Sequence, residues 1–540
     1  MKDFFKTLAA VILGSALVFI SGFFLLMGSL TTMISMGLGG VTPSIPRNAI
    51  LHITFEEGVA TQDSDLPSFG FLPPELDIRQ GGTGFLGIVH AIEQAAEDPS
   101  VRMIFLDPQY LDAQMTHIEE IRNALMTFRK SGKPVISYAG AYSQQAYYLA
   151  SAADKVIINP AGSITLQGFS VKVSYYRELF DKLGLEAQVI RHGNYKTGGE
   201  PFTAFRMSEQ ERTQMSAYLS AAWKHWSENM EQARHMEEGT IDRMSARSFI
   251  TDAQHAKEMG LADEVWHQDE MISYLSSVYE GLPERKLPFL PLQHYIKYME
   301  LNRQKPVKDR IAVVYASGDI AMGKGTGQVF ADAYAAQLRK YRSDSTIRAV
   351  VIRVESPGGD PMAAEIITRE IRLTADTKPV IVSMGDMAAS AGYWIASAAS
   401  RILVQPSSMT GSIGVYSIFF NGEKTLSDIV GVRSETIDTH PFSHFNSLYH
   451  RKSEQELQIV REQIESTYDR FVRTVSENRH MEKQSVENLA DGRIWSGTDA
   501  ISNGLADQQG GLSDAIRMAA GMAGVADYRL VSYPKPFRII

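Results

Sequence analysis

The amino-terminal stretch differs from the rest of the chain in its pattern of hydrophobic and polar positions. Lys2 and Lys6 precede a run from Thr7 to Pro46 without any Asp, Glu, Lys, Arg or His, and its core, Leu8 to Leu30, has no polar face. As a helix that core reaches about 35 Å, enough to cross a hydrocarbon layer of about 30 Å. The apolar core of a cleaved signal peptide has only about 7–15 residues. The pattern therefore predicts one membrane-anchoring helix, and the lysines ahead of it predict an N-in orientation.

The rest of the chain carries one pattern twice. Lys133–Pro160 reads KPVISYAGAYSQQAYYLASAADKVIINP, and Lys378–Pro406 reads KPVIVSMGDMAASAGYWIASAASRILVQP. With one residue gapped, the segments share KPVI, a small-residue turn, an aromatic pair, ASAA and a strand ending at proline. SEQER after Met207 likewise parallels SEQEL after Lys452. Self-similarity at a spacing of about 245 residues predicts two duplicated domains rather than a solenoid.

Each copy alternates short apolar strands with amphipathic helices. The elements predicted in the second copy are strands at Ile311–Tyr315, Ala349–Val354 and Pro379–Ser383, with helices near Asp332–Tyr341 and Met362–Thr374. Such alternation predicts an α/β fold with parallel strands and crossover helices.

A proline-containing stretch from Leu287 to Asp309 marks a boundary between the copies. The predicted domains are an anchor at 1–46, a first repeat at 47–300 and a second repeat at 301–540.

Composition narrows the function classes. The 540 residues are 44% hydrophobic and 21% charged, which excludes a disordered or fully membrane-embedded protein. The net charge of −9 argues against nucleic-acid binding through a general basic surface. Because there is no cysteine, the chain has no disulfide, thiolate nucleophile or Cys-ligated metal.

The copies differ where chemistry could lie. After the second strand, the second copy has Ser356-Pro357-Gly358-Gly359, whereas the first has Tyr110–Ala113. A glycine pair at a strand end can turn backbone N–H groups toward a ligand, although most such pairs only make turns.

After the third strand, the second copy places Ser390 among small residues at a helix start, where the first copy has Gln144 or Gln145. A serine there is most often a cap, but the partial positive charge of a helix N-terminus also favours a developing anion.

A nucleophilic serine needs a base, and no histidine lies in a recognisable motif. The first copy instead has Lys196 in the segment Gly193–Phe202, after the strand-like Ala187–Arg191; the corresponding place near Ser443 in the second copy has no lysine. Most lysines are solvated, but burial lowers the pKa of a lysine toward neutrality and makes it a competent base. One copy thus keeps the lysine and the other the serine, and the two could meet within one chain or between subunits.

These motifs give the chain a resemblance to the long, two-repeat form of the signal peptide peptidase A (protease IV) family. The SPGG turn, MAASAGYW at the helix start, TGSIGV from Thr410 to Val415, and NYKTGGEPF carry it. The resemblance covers nearly the whole chain. It implies a membrane-anchored bacterial serine peptidase with tandem Clp-protease/crotonase-like domains built from ββα-type repeats.

The resemblance also implies residue roles. Ser390 would be the nucleophile, Lys196 the general base and acid, and the backbone N–H of Gly358 or Gly359 the oxyanion donor. Ser412 would hydrogen-bond the lysine. Ala391 departs from the family, which usually has Gly after the nucleophile.

The partners that the resemblance implies are signal peptides and other apolar peptides, the lipid bilayer, and further copies of the chain in a homotetramer. No cofactor, metal or nucleic acid is expected. The implied location is the bacterial inner membrane, with a single span and the catalytic region on the periplasmic side.

Other interpretations remain open from the residues. Gly82–Gly87 reads GTGFLG, a dinucleotide-type pattern, but no strand precedes it, so a loop leading into a helix at Ile88–Ala96 is expected. Glu355, Asp360 and Asp386 suggest a metal, but solvated carboxylates are the simpler interpretation. The alternatives to a peptidase are a non-catalytic membrane scaffold or chaperone and a crotonase-type enzyme acting on acyl thioesters.

Overall fold

The computed structural model describes residues 44–56, 58–62, 83–302 and 307–535. The predicted membrane helix at Leu8–Leu30 lies outside these residues. In the part of the chain that is described, no helix is long and apolar enough to cross a bilayer.

The first repeat is built on a six-stranded sheet with every neighbouring pair parallel. In spatial order its strands are Glu264–Val265, Lys155–Ile158, Val135–Ala139, Val101–Asp107, Ala49–Thr54 and Phe289–Pro291. The central strands are buried along nearly their whole length, which is typical of parallel sheets covered on both faces.

The second repeat is built on an eight-stranded sheet. Its main path is Ile494–Ser496, Met409–Gly411, Val380–Ala389, Ile347–Ser356, Arg310–Ser317 and Arg529–Tyr533. Arg401–Val404 pairs beside Val380–Ala389, and Gln508–Gln509 extends that branch. The pair Met409–Gly411 with Ile494–Ser496 is antiparallel, as is its counterpart in the first repeat, Ser163–Thr165 with Ile250–Asp252.

Helices connect and cover the strands in both repeats. In the first repeat they are Phe85–Glu97, Met115–Lys130, Gln144–Ala150, Arg177–Leu183, Glu200–Thr203, Glu209–Ala233, Thr240–Arg247, Ala253–Glu258, Gln268–Val278 and Leu292–Leu301. In the second they are Ala331–Ser343, Pro361–Ala375, Ala391–Ser397, Glu454–Arg479, Lys483–Leu489, Gly497–Ser502 and Leu512–Ala523. Short strand pairs add Val59–Ala60 with Thr83–Gly84 and Ile320–Ala321 with Val329–Phe330.

The duplication predicted from sequence is confirmed as an α/β architecture. The two SEQE motifs are helix starts: Ser208 accepts a hydrogen bond from Glu211 N, and Ser453 accepts one from Glu456 N. The predicted strands and helices of the second copy are present, each longer than predicted. The largest extension is in Val380–Ala389, which continues through the predicted small-residue turn because Met387–Ala389 pair with Met409–Gly411.

A buried ionic network joins the two repeats. The Arg353 side chain is fully buried; its Nη1 donates to Glu120 Oε1 at 2.7 Å and its Nε to Glu355 Oε1 at 2.9 Å. His117 Nε2 lies 3.0 Å from Glu355 Oε1. Buried charged side chains are tolerated only when they are paired with opposite charges and hydrogen-bonded.

The interpretation of three carboxylates as solvated is therefore wrong for two of them. Glu355 belongs to the buried network, and Asp386 accepts hydrogen bonds from Thr116 N and Oγ1 at the start of helix Met115–Lys130 in the other repeat. Asp360 caps helix Pro361–Ala375 through Ala363 N at 2.9 Å. All three carboxylates therefore have structural partners: each stabilises a helix start or the interface between the repeats.

Each repeat also contributes one strand to a shared two-stranded sheet. Glu186–His192 of the first repeat pairs antiparallel with Val415–Asn421 of the second over seven residues. This two-stranded sheet carries the segment that follows it, including Lys196, onto the second repeat.

Candidate active site

Ser390 lies at a sharp turn between strand Val380–Ala389 and helix Ala391–Ser397. Its φ is +56° and its ψ is −122°, an unusual conformation for a residue with a Cβ. Its N–H donates to Gly411 O at 2.9 Å, and its carbonyl accepts from Trp394 N at 2.9 Å. The backbone is therefore held in a strained geometry, as expected where a turn presents a side chain for chemistry.

The first repeat provides an internal comparison. Ser143 begins the equivalent helix Gln144–Ala150 with an extended backbone, and its hydroxyl accepts a hydrogen bond from Ala146 N. Ser390 makes no such side-chain cap. Ser143 is therefore an ordinary helix cap, whereas the Ser390 hydroxyl does not cap its helix.

The Gly358–Gly359 turn packs directly against Ser390. The φ values of the two glycines are +121° and +147°. A Cβ on Gly358 would lie 2.7 Å from Ser390 Cβ and 3.1 Å from its Oγ, and a Cβ on Gly359 would lie 2.0 Å from Ile320 O. Only glycine fits at either place, because both the backbone torsions and the close approach exclude a side chain.

The backbone N–H groups near Ser390 are not equivalent. Gly358 N donates to Ser356 Oγ at 3.2 Å. Ala391 N belongs to the first residue of its helix, where backbone N–H groups have no partner within the helix, and a Cβ on Gly358 would lie 3.1 Å from it. The sequence motifs pointed only to the glycines; the helix start after a candidate nucleophile was the signal that also points to Ala391.

Lys196 is buried, with 5% of its surface exposed. Its Nζ donates to Ser412 O at 2.7 Å and to Ser412 Oγ at 2.8 Å. Burial lowers the pKa of Lys196 from 10.5 to about 7. A large fraction of the amine is therefore neutral near pH 7 and able to accept a proton.

Glycines of the second repeat make room for the lysine segment. A Cβ on Gly492 would lie 2.5 Å from Lys196 N, and one on Gly414 would lie 3.2 Å from Lys196 Cδ. Tyr195 N donates to Asp491 O at 2.9 Å, which ties the segment to the same loop.

Gln214 supports the segment from helix Glu209–Ala233. It is buried, and its Nε2 donates to Tyr195 O and to Thr197 Oγ1, both at 3.1 Å. Its Oε1 accepts from Ile494 N at 3.2 Å. One side chain of the first repeat therefore fixes the residues on either side of Lys196 against a strand of the second repeat.

A cavity of 630 Å³ is lined by Ser390, Lys196, Gly359 and Ser412 of the same chain. The structure thus brings together, within one chain, predicted site residues that are about 200 positions apart in sequence. The rest of the lining is mainly apolar, with Met215, Met387, Trp394, Ile418 and Phe471 among its residues. The arrangement suits an extended apolar ligand next to a hydroxyl and a neutral amine.

The chain matches known proteins over most of its length. The sequence profile of peptidase family S49 matches residues 127–279 and 372–526. Protease 4 of Haemophilus influenzae is 34% identical over 80% of this chain and 72% of its own length. Protease 4 of Salmonella typhi is 34% identical over 83% of this chain and 73% of its own length. A putative signal peptide peptidase SppA of Enterococcus faecium is 33% identical over 37% of this chain and 58% of its own length.

A solved structure of a ClpP1 mutant from Listeria monocytogenes is 18% identical and aligns with a TM-score of 0.26 over 38% of this chain and 94% of that chain, a likeness too low to establish a shared fold. The match to the family profile, in contrast, covers both repeats. Its first segment contains Lys196 and its second contains Ser390. The chain therefore belongs to peptidase family S49 and is a serine peptidase of the two-repeat SppA type.

Proposed function

We propose that Ser390 and Lys196 form a Ser–Lys dyad that cleaves apolar peptides, in particular signal peptides left in the membrane. The observation that carries this proposal is the buried amine of Lys196, with its pKa at about 7, lining the same cavity as a strained serine. A scaffold or an acyl-thioester enzyme needs neither feature.

The mechanism is acyl transfer. Neutral Lys196 takes the proton of Ser390 Oγ as the oxygen attacks the peptide carbonyl. The oxyanion develops beside the Gly358–Gly359 turn and the Ala391 N–H, at the N-terminus of helix Ala391–Ser397. The protonated lysine then gives its proton to the leaving amine, and water hydrolyses the acyl-enzyme by the same steps in reverse.

Ser412 completes the arrangement by orienting the amine. Both of its oxygens accept hydrogen bonds from Lys196 Nζ, so the lysine side chain is fixed while a lone pair remains for the serine proton. In a structure without substrate, the base need not yet bond to the nucleophile.

The substrate and the location are inferred from three sources. The cavity lining is mainly apolar, one relative is named as a putative signal peptide peptidase, and the uncharged run Leu8–Leu30 is long enough for a bilayer anchor. We infer a single-pass protein of the bacterial inner membrane, N-in, with its catalytic region on the periplasmic side.

We further infer a homotetramer with a Clp-protease/crotonase-like protomer. Exposed apolar side chains, among them Leu179, Phe205 and Ile437, would be covered by assembly.

The test is hydrolysis of a fluorogenic apolar peptide by the full chain in detergent. Lys196→Ala and Ser390→Ala should each reduce kcat/KM by several orders of magnitude without altering the circular dichroism spectrum. Ser397→Ala is a matched control, because Ser397 is buried in the adjacent helix, where its hydroxyl donates to Trp394 O and accepts from Asn478 Nδ2. Full activity of Lys196→Ala would refute the dyad.

Three further measurements separate the remaining questions. A serine-reactive phosphonate should label the wild type and not Ser390→Ala, whereas a scaffold or a thioester enzyme needs no activated serine. Mixing Lys196→Ala chains with Ser390→Ala chains should restore no activity, because both groups line a cavity within one chain; restored activity would place the dyad between subunits. A signal-peptide sequence should be cleaved faster than a polar peptide of equal length; equal rates would remove the substrate proposal and leave the dyad intact.

A further inference from the structure

A cluster of possible metal ligands lies in the second repeat, apart from the residues that line the catalytic cavity. It consists of His444, His450 and Glu456, and one ligand atom from each lies within 4.8 Å of the others. Two imidazoles and a carboxylate are a ligand set that Zn²⁺ accepts. We propose that these residues form a binding site for a divalent transition-metal ion of the Zn²⁺ class.

The geometry is close to that of a bound site. His450 Nε2 lies 3.0 Å from Glu456 Oε1 and 2.8 Å from Oε2. The rings of His444 and His450 are 4.0 Å apart between centroids and nearly perpendicular. Tetrahedral ligands of an ion with bonds of about 2.0–2.2 Å are about 3.3–3.6 Å apart. Small side-chain rotations therefore bring all three donors to bonding distance.

The groups behind the ligands match the usual second layer of a metal site. Asp438 Oδ2 lies 2.7 Å from His444 Nδ1, which fixes that ring and leaves Nε2 for an ion. Ser453 N and Oγ both donate to Glu456 Oε2 at 2.8 Å, which fixes the carboxylate and leaves Oε1 facing His450 Nε2 at 3.0 Å. His444 and Glu456 are thus both oriented before an ion binds.

The local charge also permits a cation. The ammonium of Lys452 interacts with Glu456, but it also donates to Ser447 O at 3.3 Å and His450 O at 3.2 Å. The carboxylates of Asp438 and Glu456 outnumber it, so the site is net negative when both histidines are neutral.

Comparison with the first repeat shows which of the three residues are explained by capping of the helix alone. Glu456 and Glu211 occupy the same place in the two SEQE motifs, and each follows a serine that caps its helix. At the spacing of the two copies, the positions of His444 and His450 correspond to Gly199 and Phe205. The glutamate alone is explained by capping, whereas the two histidines are found only in the second copy.

The ion would join two parts of the chain. Residues 431–452 contain no regular helix or strand, and they lead from the strand Val415–Asn421 to the helix Glu454–Arg479. Bound between His444, His450 and the first turn of that helix, the metal would hold this irregular segment against the helix end. Its role is therefore structural, since it lies outside the residues that line the catalytic cavity.

The test is titration of the untagged full chain with Co²⁺, whose visible absorption reports tetrahedral nitrogen and oxygen ligands. One Co²⁺ per chain should bind with a dissociation constant well below 1 mM and be displaced by Zn²⁺. Asp438→Asn should weaken binding about 10–100-fold, and His444→Ala and His450→Ala should abolish the absorption band. His440→Ala is the matched control, because His440 is exposed in the same segment and its ring hydrogen-bonds the neighbouring Thr439 Oγ1.

Absence of the band in the wild type would overturn the proposal and leave His450 and Glu456 as a simple hydrogen-bonded pair. A band that survives both His444→Ala and His450→Ala would also overturn it, since the ion would then lie elsewhere. Peptidase activity verifies that each variant is folded, because none of these residues lines the catalytic cavity.

Discussion

Replacing Ser412 by aspartate should move the pH dependence of peptide hydrolysis to higher pH. Lys196 Nζ donates to Ser412 O and Oγ at 2.7 and 2.8 Å, so a carboxylate at this position would face the amine directly. Ser412 has a φ of +50°, a conformation that aspartate and asparagine adopt more readily than most residues. Ser412→Asn is therefore a matched control that has nearly the same shape without the charge.

The magnitude follows from the burial of the lysine. With the pKa lowered from 10.5 to about 7, roughly half of the molecules hold a neutral Lys196 at pH 7; at the ordinary pKa only about 1 in 3000 would. An opposite charge at this distance favours the protonated amine and raises its pKa by about 1–3 units. At pH 7 the aspartate variant should then lose about 5- to 500-fold in kcat/KM.

The assay is kcat/KM for an uncharged, capped apolar peptide between pH 5 and 10, because this parameter reports ionisations of the free enzyme. The neutral amine is the active form, so activity rises with pH through the pKa of Lys196. The loss in Ser412→Asp should be largest on the acid side and recover above the raised pKa. Identical midpoints for the aspartate and asparagine variants, with both active at alkaline pH, would refute Lys196 as the titrating base.

Two further variants test packing, one beside Lys196 and one in the ionic network between the repeats. Gly492→Ala should lower kcat at least about tenfold, because its Cβ would lie 2.5 Å from Lys196 N and displace the lysine; Gly431→Ala, with a similar φ but open space around it, should leave kcat unchanged. Arg353→Met should lower the free energy of unfolding by about 3–5 kcal/mol in urea, because it removes the buried cation that Glu120 and Glu355 share. Removing the exposed side chain of Arg372 should change that free energy by less than about 0.5 kcal/mol; equal effects of the two arginine substitutions would contradict the burial argument.

The repeated α/β architecture was predictable because its signals are local. KPVI and ASAA lie in the same elements of both copies, and hydrophobic periodicity identified strands such as Arg310–Ser317 without knowledge of their neighbours. The turn predicted within Val380–Ala389 was wrong because the feature that decides its structure is not local. Its last residues are small and look like a turn, but pairing with Met409–Gly411 makes them strand. Tertiary pairing overrides local preference there.

The site was predictable in its residue types and not in its geometry. The contrast between Ser390 and its counterpart in the first copy is visible in the sequence, but the positive φ that distinguishes it from the capping Ser143 is not. The contacts of Glu355 with His117 and of Asp386 with Thr116 were missed because those partners come from the other repeat, some 230–270 positions away. Long-range partners leave no local pattern.

The two-stranded sheet shared by the repeats explains how the two halves of the candidate site meet. Among the described residues, strand Val415–Asn421 has no counterpart strand in the first repeat, and strand Glu186–His192 has none in the second. Each repeat therefore supplies one strand of the antiparallel pair, as each supplies one of the two groups, Lys196 and Ser390. Because the lysine follows its strand by only a few residues, pairing of the strands places the amine at the second repeat's cavity. The proposed dyad then needs one lysine and one serine per chain, one from each repeat.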